Sequence, residues 1–112
     1  MPELLRQLCL DEGEIVFNEG RLRAKHPELK RLDGVGFSGV GALIDFVLEQ
    51  PIAFEGNEPG YAKLVRKRRG AGAIVVLDTT PRQGCYHIRS AYLLDKKNIE
   101  ALHKAIPWRC KK

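Results

Sequence analysis

The chain is short of cysteine, of long apolar runs and of acids in its second half, and each shortage narrows what it can be. Its three cysteines, Cys9, Cys85 and Cys110, are an odd number with no close pair. They offer no zinc spacing and no disulfide framework that uses all three. Cys9 follows a leucine-rich face and Cys85 opens an apolar stretch, so both read as buried thiols and suggest a reducing compartment. No segment approaches the roughly 18 apolar residues of a membrane span. The first residues lack the charged start and apolar core of a signal peptide, so any export information would lie elsewhere. No internal repeat or low-complexity linker is present. Across the strands of the second half, residues 52–94, stand only three acids, Glu55, Glu58 and Asp78. No carboxylates are paired at glycosidase or two-metal spacing, which argues against a magnesium nuclease. There is no Gly-x-Ser-x-Gly elbow and no Cys-His pairing for nucleophilic catalysis. The glycines of 34–39 fit neither a Walker loop nor a dinucleotide fingerprint.

What remains is a basic chain of 112 residues, the size of one domain (1–112, with its core at about 14–106) and of a small core. With 44% apolar and 29% charged residues it should fold. Nineteen Lys and Arg against fourteen Asp and Glu leave a formal charge of +5, which suits a polyanion partner and equally a solvated basic surface. The first third has helical signals. Pro2 suits a first turn, Leu4, Leu5 and Leu8 mark one face, and Gly13 is the expected stop. Residues 14–17 suggest a short strand. Asn18 is placed to cap a second helix running towards His26, although Gly20 weakens it by about 1 kcal/mol. A glycine-rich loop at 34–39 leads, with Ser38 as cap, into a helix at 39–49 that buries Leu43, Ile44, Val47 and Leu48 and stops at Pro51. Four strands are expected at 52–55, 61–67, 73–77 and 85–94, joined by short turns that favour an antiparallel meander. Asp95 caps a last helix, 96–106, ended by Pro107. The expected fold is α+β: N-terminal helices on a four-stranded antiparallel sheet, with a C-terminal helix.

Two segments carry candidate chemistry. Residues 21–27 pack Arg21, Arg23 and Lys25 around His26. Neighbouring cations lower an imidazole pKa, and a neutral imidazole can accept a hydroxyl proton. A surface histidine closing a helix is the plainer alternative. Residues 86–92 form a strand of alternating character. Strict alternation puts Tyr86, Ile88, Ser90 and Tyr92 on one face and Cys85, His87, Arg89, Ala91 and Leu93 on the other. The cations Lys63, Arg66, Lys67, Arg68 and Arg69, in and just after the second strand, suit either phosphate binding or an edge protected by charge. His87 is expected to be packed and hydrogen-bonded, and His103 solvated.

In its order of helices and sheet, and in the segments Lys25-His26-Pro27-Glu28, Leu48-Glu49-Gln50-Pro51 and Tyr86-His87-Ile88-Arg89-Ser90-Ala91-Tyr92, the chain resembles the barnase, EndoU, colicin and RelE-like ribonucleases, in particular their phage- and polymorphic-toxin-associated branch. The motif is similar to that of colicin D-type nuclease domains, which pair a basic-x-Lys-His cluster with a Ser-x-aromatic pair on a late strand. Tyrosine stands here where those domains carry tryptophan, and arginine replaces the first lysine. The resemblance implies a metal-independent endoribonuclease toxin domain with no cofactor, acting in the cytoplasm and either secreted or delivered as part of a larger toxin. It implies catalytic roles for His26, Lys25, Arg23, Ser90 and Tyr92, and RNA contacts from Lys63, Arg66, Arg89, His87, Tyr61 and Arg82. It further implies RNA as substrate, with transfer RNA a frequent target in that branch, and an acidic immunity protein as partner. Two other classes compete: a non-catalytic nucleic-acid-binding module and a phage-derived protein-interaction module. An ADP-ribosyl transferase toxin would want a glutamate on a late strand, and none stands between Cys85 and Leu94.

Overall fold

The computed structural model describes residues 2–18, 20–22, 39–56, 58–68, 71–94 and 106–108. Helix α1, Pro2–Gln7, buries Leu4, Leu5 and Leu8. It ends earlier than Gly13, because Cys9 takes the left-handed conformation (φ 57°) that usually falls to glycine. The Cys9 N–H reaches the Arg6 carbonyl at 3.0 Å and the Leu10 N–H reaches the Leu5 carbonyl at 2.8 Å, the paired bonds of a Schellman ending. Cys9 is bonded in a disulfide, whereas Cys85 is a free, half-buried thiol. The expectation of a buried thiol is therefore corrected at Cys9.

Strand β1, Glu14–Val16, follows at once. Asn18 then caps a helical turn as expected, its Oδ1 accepting the Arg21 N–H at 3.0 Å. Helix α2, Val40–Glu49, buries Val40, Leu43, Ile44, Val47 and Leu48 over the sheet. The cap of α2 is Gly39, with no side-chain hydrogen bond, so the cap expected of Ser38 is corrected; residues 34–38 of the glycine-rich loop and residues 95–105 expected in the last helix lie outside the described residues.

The strands β2 (Ile52–Glu55), β3 (Tyr61–Arg68), β4 (Ala71–Asp78) and β5 (Cys85–Leu94) form the expected meander. The sheet, however, has five strands and is mixed, in the order β1-β5-β4-β3-β2. β1 lies parallel to β5, with Ile15 beside Tyr86 and Val16 beside His87. A parallel neighbour needs a long crossover, which no local turn announces. At the opposite edge β2 receives the chain's last described residues. Glu55 N–H donates to the Ile106 carbonyl at 2.7 Å, Trp108 N–H donates to the Ala53 carbonyl at 3.0 Å, and Phe54 bridges Pro107. Ile106 is thus in extended chain and not in a helix. The Trp108 indole N–H reaches the Leu8 carbonyl at 3.1 Å, fastening this edge to α1.

The helix-covered face buries Ala62 and Leu64 of β3, Ala73, Val75 and Leu77 of β4, and Tyr86, Ile88 and Ala91 of β5. The alternation expected for β5 breaks at Arg89. Leu77 pairs with Ile88 but Val76 pairs with Ser90, so Arg89 is the extra residue of a β-bulge. Tyr86 and Ile88 therefore share the core face with Ala91 and Leu93, and Ser90 and Tyr92 lie on the other. The single face assigned to Tyr86, Ile88, Ser90 and Tyr92 is corrected accordingly. β4 and β5 are joined through Gln83-Gly84, both at positive φ (54° and 76°), between the mutually bonded Arg82 and Cys85. That is the backbone of a type I′ turn.

Candidate functional site

One end of the sheet holds a cleft of about 440 Å³, lined by Phe17, Asn18, Arg21, Leu22, Tyr61, Asp78, Arg82, His87, Ile88 and Arg89. The fold explains the gathering. Tyr61 pairs with Asp78, and Leu77 with Ile88, so the rung at this end carries Tyr61, Asp78 and then His87, with Val16 of β1 beyond. The bulge sets Arg89 beside that rung. The I′ turn returns Arg82 to it. The Asn18 cap brings in Arg21.

Three arginines face one carboxylate here, so the cleft attracts anions. Asp78 is tied to the turn, where its Oδ1 accepts the Thr80 N–H at 2.9 Å and its Oδ2 lies 3.7 Å from the Arg82 guanidinium. It holds Arg82 at the rim. Arg89 donates from Nη1 to the Tyr61 hydroxyl at 2.6 Å, lies over that ring at 4.7 Å from the centroid, and stands 3.8 Å from Glu58. Both members of the Arg89–Glu58 pair are exposed, so the pair is worth only about 0–1 kcal/mol. A phosphate can displace it at little cost. His87 is exposed.

Four of the residues expected to touch RNA therefore meet in one place: Tyr61, Arg82, His87 and Arg89. Solvent exposure departs from the packed histidine expected at His87. A tight β5 register buries its neighbours Tyr86 and Ile88 and leaves His87 facing out. The other two lie elsewhere. Lys63 is half-buried on the rung of Phe54 and Val76. Arg66 is occupied by α2: it donates to the Phe46 carbonyl at 2.9 Å, stacks 4.0 Å over the Phe46 ring and lies 3.6 Å from Glu49. Of the expected catalytic residues, Ser90 is buried and Tyr92 half-buried, and neither lines the cleft. Burial raises the Tyr92 pKa above its ordinary value. His26, Lys25 and Arg23 lie outside the described residues. Tyr86 is a core residue whose hydroxyl donates to the Asp11 carbonyl at 2.8 Å, and its pKa is raised first by burial and then by the Asp11 charge.

Phe17 and Asp78 were not singled out by sequence as site residues. An apolar residue just before a cap usually staples onto the helix and is buried, so the signal at Phe17 pointed to packing. Asp78 reads as an ordinary turn acid.

Among the described residues, no helix is long and apolar enough to cross a membrane. No family model matches the chain, and no curated protein or solved structure matches it either.

Proposed function

We propose that this chain is a metal-independent endoribonuclease domain of the toxin type, and that the cleft between β1, β3 and β5 receives its RNA. The observation that carries this reading is the convergence of Arg21, Arg82, Arg89, His87 and Tyr61 on one anion-attracting cleft. Such a set suits a polynucleotide: arginines for phosphate, an aromatic ring and an imidazole beside them. In the reaction a base takes the 2′-hydroxyl proton and the 2′-oxygen attacks the adjacent phosphorus. The 5′-oxygen then leaves with a proton, giving a 2′,3′-cyclic phosphate and a 5′-hydroxyl. The resemblance to colicin D-type domains makes His26 the proton-transfer group, with Lys25 and Arg23 on the scissile phosphate. Cleft arginines add stabilisation of the phosphorane, at about 3 kcal/mol per well-placed donor. An acidic immunity protein is the complementary partner for this surface.

The test is incubation of the pure chain with total RNA in EDTA, beside His26→Ala. The expected result is discrete fragments with cyclic-phosphate ends from the wild type and a loss of cleavage by orders of magnitude in the variant. Equal cleavage by both would reject His26 as the acid/base. A second reading, binding without cleavage, is favoured by one observation: Ser90 and Tyr92, the expected late-strand pair, do not line the cleft. It predicts intact RNA, with affinity that falls steeply as salt rises.

A further inference from the structure

We propose that Phe17 is the nucleobase platform of the cleft, and that the ligand it selects is an unpaired RNA nucleotide. The inference rests on reading the cleft as an RNA site, and it moves the stacking role away from the residues that sequence suggests. Tyr92 does not line the cleft. Tyr61 does, but Arg89 already lies over its ring and bonds its hydroxyl. Phe17 is different. Three large hydrophobic side chains are exposed among the described residues, Phe17, Ile52 and Ile106, and of these Phe17 alone lines the cleft, with a relative exposure of 40%.

Its position makes that exposure informative. Phe17 directly precedes the Asn18 cap, and Leu22 sits where a hydrophobic staple would receive it. Leu22 is buried in the core, yet Phe17 stays open. The tip of the ring lies near α2: a Cβ placed on Gly41 would sit 3.8 Å from its Cζ, an ordinary van der Waals distance. A solvent-open ring among arginines is what base stacking requires, because every base offers a π face and flanking phosphates need cations. Stacking of this kind takes a base whose faces are free, which means a single strand or a loop. The volume of about 440 Å³ accommodates a nucleotide. Arg21, one helical turn from Phe17, and Arg89, beside Tyr61, are placed to hold phosphates adjoining the stacked base.

The experiment measures binding and so does not depend on catalysis. Fluorescence anisotropy is read for a single-stranded 2′-O-methyl oligoribonucleotide, which cannot be cleaved, and for a duplex of the same sequence. Phe17→Leu should weaken single-strand binding by about 5- to 100-fold, leave the weaker duplex binding unchanged and leave the salt slope intact. Single-strand affinity equal to wild type in a folded Phe17→Leu protein would overturn the platform and leave the RNA reading standing. So would a wild type that binds duplex as tightly as single strand. No binding of either probe by the wild type would sink both. A 4-thiouridine-bearing strand photo-crosslinked to the wild type gives the same contact without a variant. An adduct on the peptide holding Phe17 supports the proposal, and an adduct confined to the Tyr61 peptide rejects it.

Discussion

Arg66 on β3 and Arg89 on β5 have the same kinds of companion: an aromatic ring, a hydrogen-bond acceptor and a glutamate. Arg66 has Phe46, the Phe46 carbonyl and Glu49. Arg89 has Tyr61, the Tyr61 hydroxyl and Glu58. The difference lies in what the acceptor belongs to. The Phe46 carbonyl is part of the last turn of α2, where carbonyls lack intrahelical partners and the helix dipole favours a cation. Arg66 therefore closes a helix, with its side chain 26% exposed. Arg89 bonds only to side chains, is 46% exposed, and opens on the cleft. One cation is committed to the fold and the other is held ready for exchange. Counting basic residues on a strand cannot separate the two.

The largest effect should come from disturbing the frame under the cleft without touching a cation. A Cβ on Gly13 would stand 2.7 Å from the Gly84 carbonyl oxygen and 2.9 Å from the Tyr86 ring. Gly13→Ala should cost about 3 kcal/mol and be read as a large fall in melting temperature. A melt like that of wild type would mean that the β1–β5 junction can yield.

The two arginines themselves should give a crossed result. Arg66→Ala is expected to lose about 2 kcal/mol of stability with RNA affinity nearly intact. Arg89→Ala should lose under about 1 kcal/mol of stability but several-fold in RNA affinity, with a shallower salt dependence. Denaturant titration and anisotropy on the same samples decide it. If both variants fall along the same axis, the division between structural and ligand-facing cations is mistaken.

The smallest effect is alkaline. Burial holds the Tyr92 phenol above its ordinary value. The unfolded chain then loses that proton first, so Tyr92 favours the folded state fully below about pH 10 and progressively less as pH rises through the folded pKa. Tyr92→Phe should therefore lose less melting temperature than wild type between about pH 9 and pH 11. Equal losses would show that the phenol ionises as readily in the folded protein. Because the cleft does not contain Tyr92, RNA binding near pH 7 should be unchanged.

Much of the fold was legible because its signals are local. Glycine and proline punctuation with apolar runs put strands at 52–55 and 85–94, where they are found, and a helix at 39–49 against the observed Val40–Glu49. The Asn18 cap was readable from one side chain. Cys9 was not, since nothing in its chemistry announces a left-handed helix ending. The candidate site was half legible. The resemblance to toxin-type ribonucleases singled out Tyr61, Arg82, His87 and Arg89 as RNA contacts, and they share a cleft. The same criterion also selected Lys63 and Arg66, which do not join them, and passed over Phe17.

The sequence by itself determined the apolar helix and strand faces, the turns, the basic charge and the α+β class, because each follows from spacing along a few neighbouring residues. Tertiary structure alone decided the parallel seat of β1 on β5, the closing of β2 by residues 106–108, the bulge that parts Ile88 from Ser90, and the capture of Arg66 by α2. Each of these depends on a partner far away in sequence. A strand cannot signal its bulge until its neighbour fixes the register. An arginine's role is settled by which carbonyl, ring or solvent it meets after the chain has closed.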